Sequence, residues 1–281
     1  MSEGIIFDKK ELSIHDGPGL RVTVFFKGCP LRCAWCHNPE GLLITRQTMK
    51  SNQGCNDCGK CKQSCSHSEC EGMSLCSRIC PNGLIRTIGE GVDSAKLAEQ
   101  LKKYVPVFEQ TGGGVTISGG EPLMQPLFLL DLLKYLESVH TVVQTSGYGD
   151  HSHFKKVVGA ADLILFDIKL IDSAKHYEYT GVGNELIFQN LEALKTSGKF
   201  FTIRLPIIPG VNDTSEHIDG VTELIKDAKN RVSVEILPYN PLAGAKYASV
   251  GMTYKMRPDT TDVTNYYTDT LKREGIAVSV L

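Results

Sequence analysis

At 281 residues, with 41% hydrophobic and 22% charged side chains, the chain has the composition of an ordinary folded domain, which excludes a disordered or fibrous class. Thirty Lys and Arg against 32 Asp and Glu leave a formal charge of −2, which argues against nucleic acid as the main partner. No apolar run is long enough to span a bilayer, and the start, Met1-Ser-Glu-Gly-Ile-Ile-Phe-Asp8, has neither a basic opening nor a long apolar core, so no signal peptide is expected.

The first element is Arg21-Val-Thr-Val-Phe-Phe-Lys27, which places a buried strand over 22–28. Three thiols follow at once in Cys29-Pro-Leu-Arg-Cys33-Ala-Trp-Cys36, spaced three and then two residues apart. Residues 50–84 break the pattern, with seven cysteines and few large apolar residues. Beyond them strands and helices alternate. A helix runs from Asp93, its N-cap, to Val105, and Val115–Ser118 is a strand. Pro126–Val139 is a helix, Thr141–Gln144 a strand, 151–159 a helix, and Leu163–Asp167 a buried strand. Glu185–Ser197 is a helix stopped by Gly198, Phe200–Leu205 a strand, 213–229 a helix, and Val232–Leu237 a strand. A last helix over 259–273 leads into Ile276–Val280.

Six strand–helix units and a closing strand imply right-handed crossovers and a parallel sheet. Six are too few for a closed eight-fold barrel, so the expected fold is α/β, an open, partial (β/α)6 parallel barrel formed by 1–49 and 85–281, with 50–84 as a small insertion. Active sites of such barrels gather at the carboxyl ends of the strands. Cys29–Cys36, Gly119-Gly120-Glu121, Thr145-Ser146, Asp167-Ile168-Lys169, Arg204 and Asn240 all fall there.

All ten cysteines lie between residues 29 and 80, and the 201 residues that follow have none. A disulfide framework would spread through the fold, so local metal sites in a reducing, cytoplasmic setting are expected. Iron–sulfur clusters are held by thiolates, usually four. A local set of three leaves one iron open for another ligand. Spacing alone leaves a zinc site open, although structural zinc usually takes four ligands.

The insertion carries Cys55-x2-Cys58-x2-Cys61-x3-Cys65, the bacterial ferredoxin spacing, in which the fourth cysteine of each run serves the other cluster. A second run, Cys70-x2-Met73-x2-Cys76-x3-Cys80-Pro81, has methionine in place of one cysteine. Crossing the fourth ligands assigns Cys55, Cys58, Cys61 and Cys80 to one complete [4Fe–4S] cluster. Cys65, Cys70 and Cys76 are left with a second, one thiolate short. That site would hold [3Fe–4S], be labile, or recruit another ligand such as His67; a solvated loop histidine is the plain alternative. A pair of zinc sites is the rival for the whole insertion.

The stretch Ser13-Ile-His-Asp16-Gly17-Pro18-Gly19-Leu-Arg21, with Phe25-Phe-Lys-Gly28-Cys29 and Cys36-His37-Asn38-Pro39-Glu40, resembles the signature of the radical S-adenosylmethionine (SAM) enzymes that activate glycyl-radical enzymes. The resemblance implies that Cys29, Cys33 and Cys36 ligate a cluster whose open iron binds SAM. It implies that Trp35 lies near adenine, with His37 orienting the cluster loop. It further implies that Gly120-Glu121 meets the methionine ammonium, that Asp167-Ile168-Lys169 lies along SAM, and that Arg204 pairs with its carboxylate. Thr145-Ser146-Gly147 aligns with a segment beside a cation site in that family, but Gln144 replaces an acidic residue. Leu237-Pro-Tyr239-Asn240 resembles a segment that often ends in histidine, so Asn240 is a candidate contact to ribose or adenine. The implied partners are a glycyl-radical enzyme and a flavodoxin or ferredoxin electron donor. The rival functions are a radical SAM enzyme acting on a small molecule or peptide and a non-catalytic electron carrier.

Overall fold

A computed structural model describes residues 2–63, 67, 73–256 and 264–281. The chain opens with strand β1 (Glu3–Ser13), which turns back into β2 (Arg21–Phe26). The two pair antiparallel from Ile6↔Phe26 to Ser13↔Arg21. Strands β3 (Gln47–Lys50) and β4 (Ile85–Ile88) form a separate antiparallel ladder, from Gln47↔Ile88 to Lys50↔Ile85. Then come β5 (Glu90–Asp93), α1 (Ser94–Lys102), α2 (Val105–Thr111), β6 (Gly114–Gly119), α3 (Pro126–Tyr135), β7 (Thr141–Thr145) and α4 (His151–Ala160). The second half is β8 (Leu163–Asp167), α5 (Ser173–Thr180), α6 (Glu185–Thr196), β9 (Phe201–Ile207), α7 (Ser215–Ile225), β10 (Arg231–Pro238), α8 (Thr264–Arg273) and β11 (Val278–Val280).

Nine strands make one sheet in the order β11-β10-β9-β8-β7-β6-β2-β1-β5. From β2 to β11 every neighbour is parallel, and β1 and β5 add an antiparallel edge. Seven parallel strands are the six units and closing strand expected, and the sheet is not closed. The inner strands are buried on both faces, as parallel strands under helices are. In β2, for example, Val22, Val24 and Phe26 join the main core while Arg21 and Thr23 are also buried.

The departures have local causes. The helix expected from Asp93 to Val105 is broken at Lys103–Tyr104, because Pro106 in the first turn of α2 cannot continue the preceding helix. Asp93 does cap α1, accepting from the Ala95 and Lys96 amides at 3.0 Å. Thr214 caps α7 through the His217 amide, so that helix starts at Ser215. The antiparallel strands β1 and β5, the β3–β4 ladder and helix α5 lie outside the sequence reading. Residues 259–263 of the expected last helix lie outside the described residues.

Candidate active site at the carboxyl edge of the sheet

A cavity of about 630 Å³ opens where the parallel strands end. Its walls take in Cys29, Cys33 and Cys36 together with Trp35, His37, Gly120, Glu121, Asp167, Lys169, Arg204 and Asn240. Ile168 is the one expected contact that does not line it. That side chain is 1% exposed in the main core, and its amide donates to the Arg204 carbonyl at 2.9 Å.

The cysteine loop is fixed by backbone hydrogen bonds on two sides. Gly28 and Cys29 donate to the Gly41 and Leu42 carbonyls, and Arg32 and Ala34 donate to Thr180 and Tyr179 at the end of α5. Trp35 packs with Leu170, Ile208 and Val211, its ring 6.2 Å from that of Tyr179. Burial pushes all three thiols well above the ordinary cysteine range, Cys36 to about 12. A trio of buried thiols is a poor home for bare thiolates and a good one for a cationic iron site, which removes the protons itself. Among the described residues no three acidic, histidine or cysteine side chains converge on a single ion. Cluster ligands stand wider apart, because each thiolate takes a different iron.

The Gly-Gly-Glu turn follows β6. A Cβ on Gly119, where φ is +119°, would meet the Phe26 amide at 2.3 Å, and one on Gly120 would meet the Gly28 carbonyl at 2.2 Å. Glycine is therefore demanded here by the packing of the turn on the cysteine loop, and not only by approach to a ligand. Glu121, in the cavity wall, is also held by the scaffold. Its Oε1 accepts from the Thr145 hydroxyl at 2.6 Å and the Leu123 amide at 3.1 Å. Its Oε2 accepts from the Ser146 hydroxyl at 2.6 Å and amide at 2.8 Å. Burial raises its pKa, and these four donors offset only part of that rise. The carboxylate ties the turn after β6 to the end of β7 while lining the cavity.

Asp167 and Lys169 pair at 3.3 Å. Burial lowers the Lys169 pKa, but Asp167 and the Cys33 and Cys29 sulfurs outweigh it, so the lysine is held charged. Gln144, in the position of the acidic residue, accepts from Ser118 at 2.9 Å and donates to Asp167 at 3.5 Å. Arg204 is likewise engaged: Nε donates to Glu235 at 2.7 Å, Nη2 to the His15 carbonyl, and Nη1 lies 3.8 Å from Asp16. It fixes the His15–Asp16 lip of the cavity while lining it. Asn240 caps the turn Pro241–Lys246 through the Leu242 amide at 2.9 Å and is exposed at the mouth. His37, also at the mouth, is held below the ordinary histidine value by desolvation and by Lys246 and Lys169.

In the insertion, Cys55, Cys58, Cys61 and Cys80 line one small cavity of about 130 Å³. Cys65 and Cys70 lie outside the described residues. Cys76 is buried, its amide donating to the Cys61 carbonyl at 2.9 Å, and its Sγ is 3.6 Å from His67 Nδ1. That spacing is a hydrogen-bond contact. Met73 Sδ lies instead beside the Thr87 hydroxyl at 3.9 Å.

Residues 23–225 match the Radical SAM superfamily. The chain belongs to that superfamily. It is 37% identical to the choline trimethylamine-lyase activating enzyme of Oleidesulfovibrio alaskensis, over 90% of this chain and 88% of that one. It is 36% identical to the trans-4-hydroxy-L-proline dehydratase activating enzyme of Clostridioides difficile, over 89% of each chain. Within radical SAM enzymes it therefore stands with the glycyl-radical-enzyme activating enzymes. A domain of pyruvate-formate lyase-activating enzyme from Bacteroides vulgatus has the same fold, with a TM-score of 0.52 and 28% identity over 60% of this chain and 99% of that one. Membership brings a [4Fe–4S] cluster and SAM as cofactors, and the cavity suits them in size and donors.

Several residues that build this radical SAM site escaped the motif reading. Glu235 was visible as the one carboxylate of strand β10. Lys246, which reaches Glu40 at 2.6 Å and Asn38 at 3.2 Å, carried no signal. Nor did Tyr254, whose hydroxyl meets that of Tyr239 at 2.9 Å. Among the described residues no helix is long and apolar enough to cross a membrane.

Proposed function

We propose that this chain activates a partner glycyl-radical enzyme, with Cys29, Cys33 and Cys36 as the ligands of its SAM-binding cluster. The observation that carries the reading is the convergence of three buried thiols, Trp35, the Asp167–Lys169 pair and Arg204 on one cavity. The cluster and SAM supply, when bound and reduced, a 5′-deoxyadenosyl radical that takes hydrogen from a backbone glycine of the partner. The protein's own residues bind, orient and shield. Trp35 offers an apolar wall to adenine. Lys169, held charged, and Arg204, held flat between Glu235 and the His15 carbonyl, present cations to the ligand carboxylate. Gln144 and Asp167 offer amide and carboxylate oxygens to the sugar or to a cation. Glu121 holds Thr145 and Ser146 in place beneath them.

The insertion, 50–84, is read as a ferredoxin-like unit. The shared cavity of Cys55, Cys58, Cys61 and Cys80 supports the crossed ligand set for one complete [4Fe–4S] cluster. Cys76, with Cys65 and Cys70, would hold a second cluster one thiolate short. Electrons would come from a flavodoxin or ferredoxin, in the cytoplasm. The names of the relatives, which include a lyase, a dehydratase and a decarboxylase activating enzyme, support a partner of the eliminating or decarboxylating kind.

The test is anaerobic incubation of the reconstituted, reduced protein with SAM and candidate partners. A glycine-centred EPR doublet on one partner, absent with Cys36→Ala, is the expected result. SAM cleavage that survives Cys36→Ala would remove the site assignment.

A further inference from the structure

The β3–β4 ladder orders the insertion along one direction, because each residue of a strand advances about 3.3 Å. Gln47 marks the barrel end: its side chain receives Lys27 Nζ, buried under the cysteine loop, at 3.1 Å. One step out, Thr48 meets Ser74 at 3.4 Å, and Thr87 opposite meets Met73. The run leading to Cys76 thus lies alongside the middle of the ladder. The far end, Lys50↔Ile85, borders the cavity of Cys55, Cys58, Cys61 and Cys80. The four-thiol set is at the tip and the Cys76 run lies between it and the barrel.

The tip is also where charge and access coincide. Cys58 is exposed, while Cys61 and Cys76 are buried. Lys60 and Lys62 flank Cys61 on the surface, and Lys50 lines the same cavity. The insertion carries Lys50, Lys60, Lys62 and Arg78 against Asp57, Glu69 and Glu71; Lys50, Lys62 and Asp57 line the four-thiol cavity, with Asp57 3.9 Å from Lys50, and Lys60 is exposed beside Cys61. A cationic tip on a chain of net charge −2 is a local field, and such fields raise encounter rates with oppositely charged partners by about 10 to 10³.

We propose that the Lys50–Lys60–Lys62 face at the tip of the insertion is the docking surface for an acidic one-electron carrier protein. This rests on the reading of the four tip cysteines as iron–sulfur ligands. One electron leaves the carrier's reduced flavin or iron–sulfur centre and is accepted at the iron those thiols hold; no bond forms or breaks. The carrier approaches the exposed Cys58 side, so the electron enters at the set farthest from the SAM cavity.

The experiment uses the fully reconstituted protein, a purified acidic flavodoxin and the double substitution Lys60→Glu with Lys62→Glu. Flavodoxin binding is measured by calorimetry at low and high salt. SAM cleavage is measured with flavodoxin and, separately, with dithionite. Docking at the tip predicts that affinity falls about tenfold or more at low salt and that the difference shrinks near 1 M salt, where screening acts within about 3 Å. Flavodoxin-driven cleavage falls in parallel, while iron content and dithionite-driven cleavage stay as in the unsubstituted protein. Unchanged affinity would overturn the proposal. Should the double substitution lose iron, Lys60→Gln with Lys62→Gln takes its place, and salt-independent binding by the unsubstituted protein would be equally fatal. Intact docking with no dithionite-driven cleavage would sink the proposed function and leave the docking face standing.

Discussion

The substitution Glu121→Gln isolates what the buried carboxylate does. Each of its oxygens receives one backbone N–H that cannot turn away, Leu123 on Oε1 and Ser146 on Oε2. The Thr145 and Ser146 hydroxyls on the same oxygens can rotate to accept instead. An amide nitrogen accepts nothing, so either orientation of the new side-chain amide leaves one backbone donor buried without a partner, at about 1–3 kcal/mol. The contacts that remain lose their charge assistance, roughly another 1 kcal/mol. A total of about 3 kcal/mol corresponds to a fall in Tm of roughly 6–12 °C for a domain of this size. Thermal unfolding followed by circular dichroism, on matched preparations with equal iron, reads the effect. SAM affinity should drop as well, because Thr145 and Ser146 are released from the cavity wall. A Tm within about 1 °C of the parent would refute the reasoning. It would mean that burial keeps Glu121 as a neutral acid, which glutamine imitates closely.

Three other substitutions test separate parts of the molecule. Met73→Cys restores the ferredoxin spacing and should add about one iron per chain or change the EPR signal of the second insertion cluster; no change counts against a site one thiolate short. Glu235→Gln removes the ionic partner that holds Arg204 and should weaken SAM binding about fivefold, some 1 kcal/mol, with iron content untouched. A titration of SAM that gives the parent affinity would detach Arg204's role from its partner. His217 is 5% exposed, and neither ring nitrogen has a partner among the described residues, so burial lowers its pKa to about 4. In the unfolded chain it titrates near 6.5, so the unfolded state takes up the proton first and stability falls as pH drops from about 6.5 to about 4. His217→Phe should flatten that window by an amount on the order of 3 kcal/mol. Parallel stability curves for the two proteins from pH 7 to pH 4 would contradict it.

The parallel strands were readable because burial on both faces leaves unbroken apolar runs such as Leu163–Phe166. Strand β1 was not: its apolar start Ile5-Ile-Phe7 gives way to Asp8-Lys-Lys-Glu11, as an edge segment allows. Helix α5, Ser173–Thr180, has only His176 and Thr180 buried and so shows no apolar face. It stands because Asp172 caps it at Lys175 and Gly181 ends it in the left-handed region, and its last turn carries the carbonyls that hold the cysteine loop.

The site was legible to a different depth. Spacing located Cys29, Cys33 and Cys36, and strand-end position with the family resemblance located Glu121, Asp167, Lys169 and Arg204; all line one cavity. It did not reveal what each charge already touches, because those partners come from remote parts of the chain: Arg204 reaches the His15 carbonyl, and Lys246 reaches Glu40. A charged motif residue can contact a ligand or hold the wall that contacts it, and a sequence pattern is the same for both. In this chain Glu121 has both oxygens committed to the scaffold, whereas Lys169 keeps one carboxylate partner within reach of the cavity. Binding energy for the ligand's carboxylate should therefore reside in Lys169 and Arg204, and the Glu121 and Glu235 substitutions separate holding from touching.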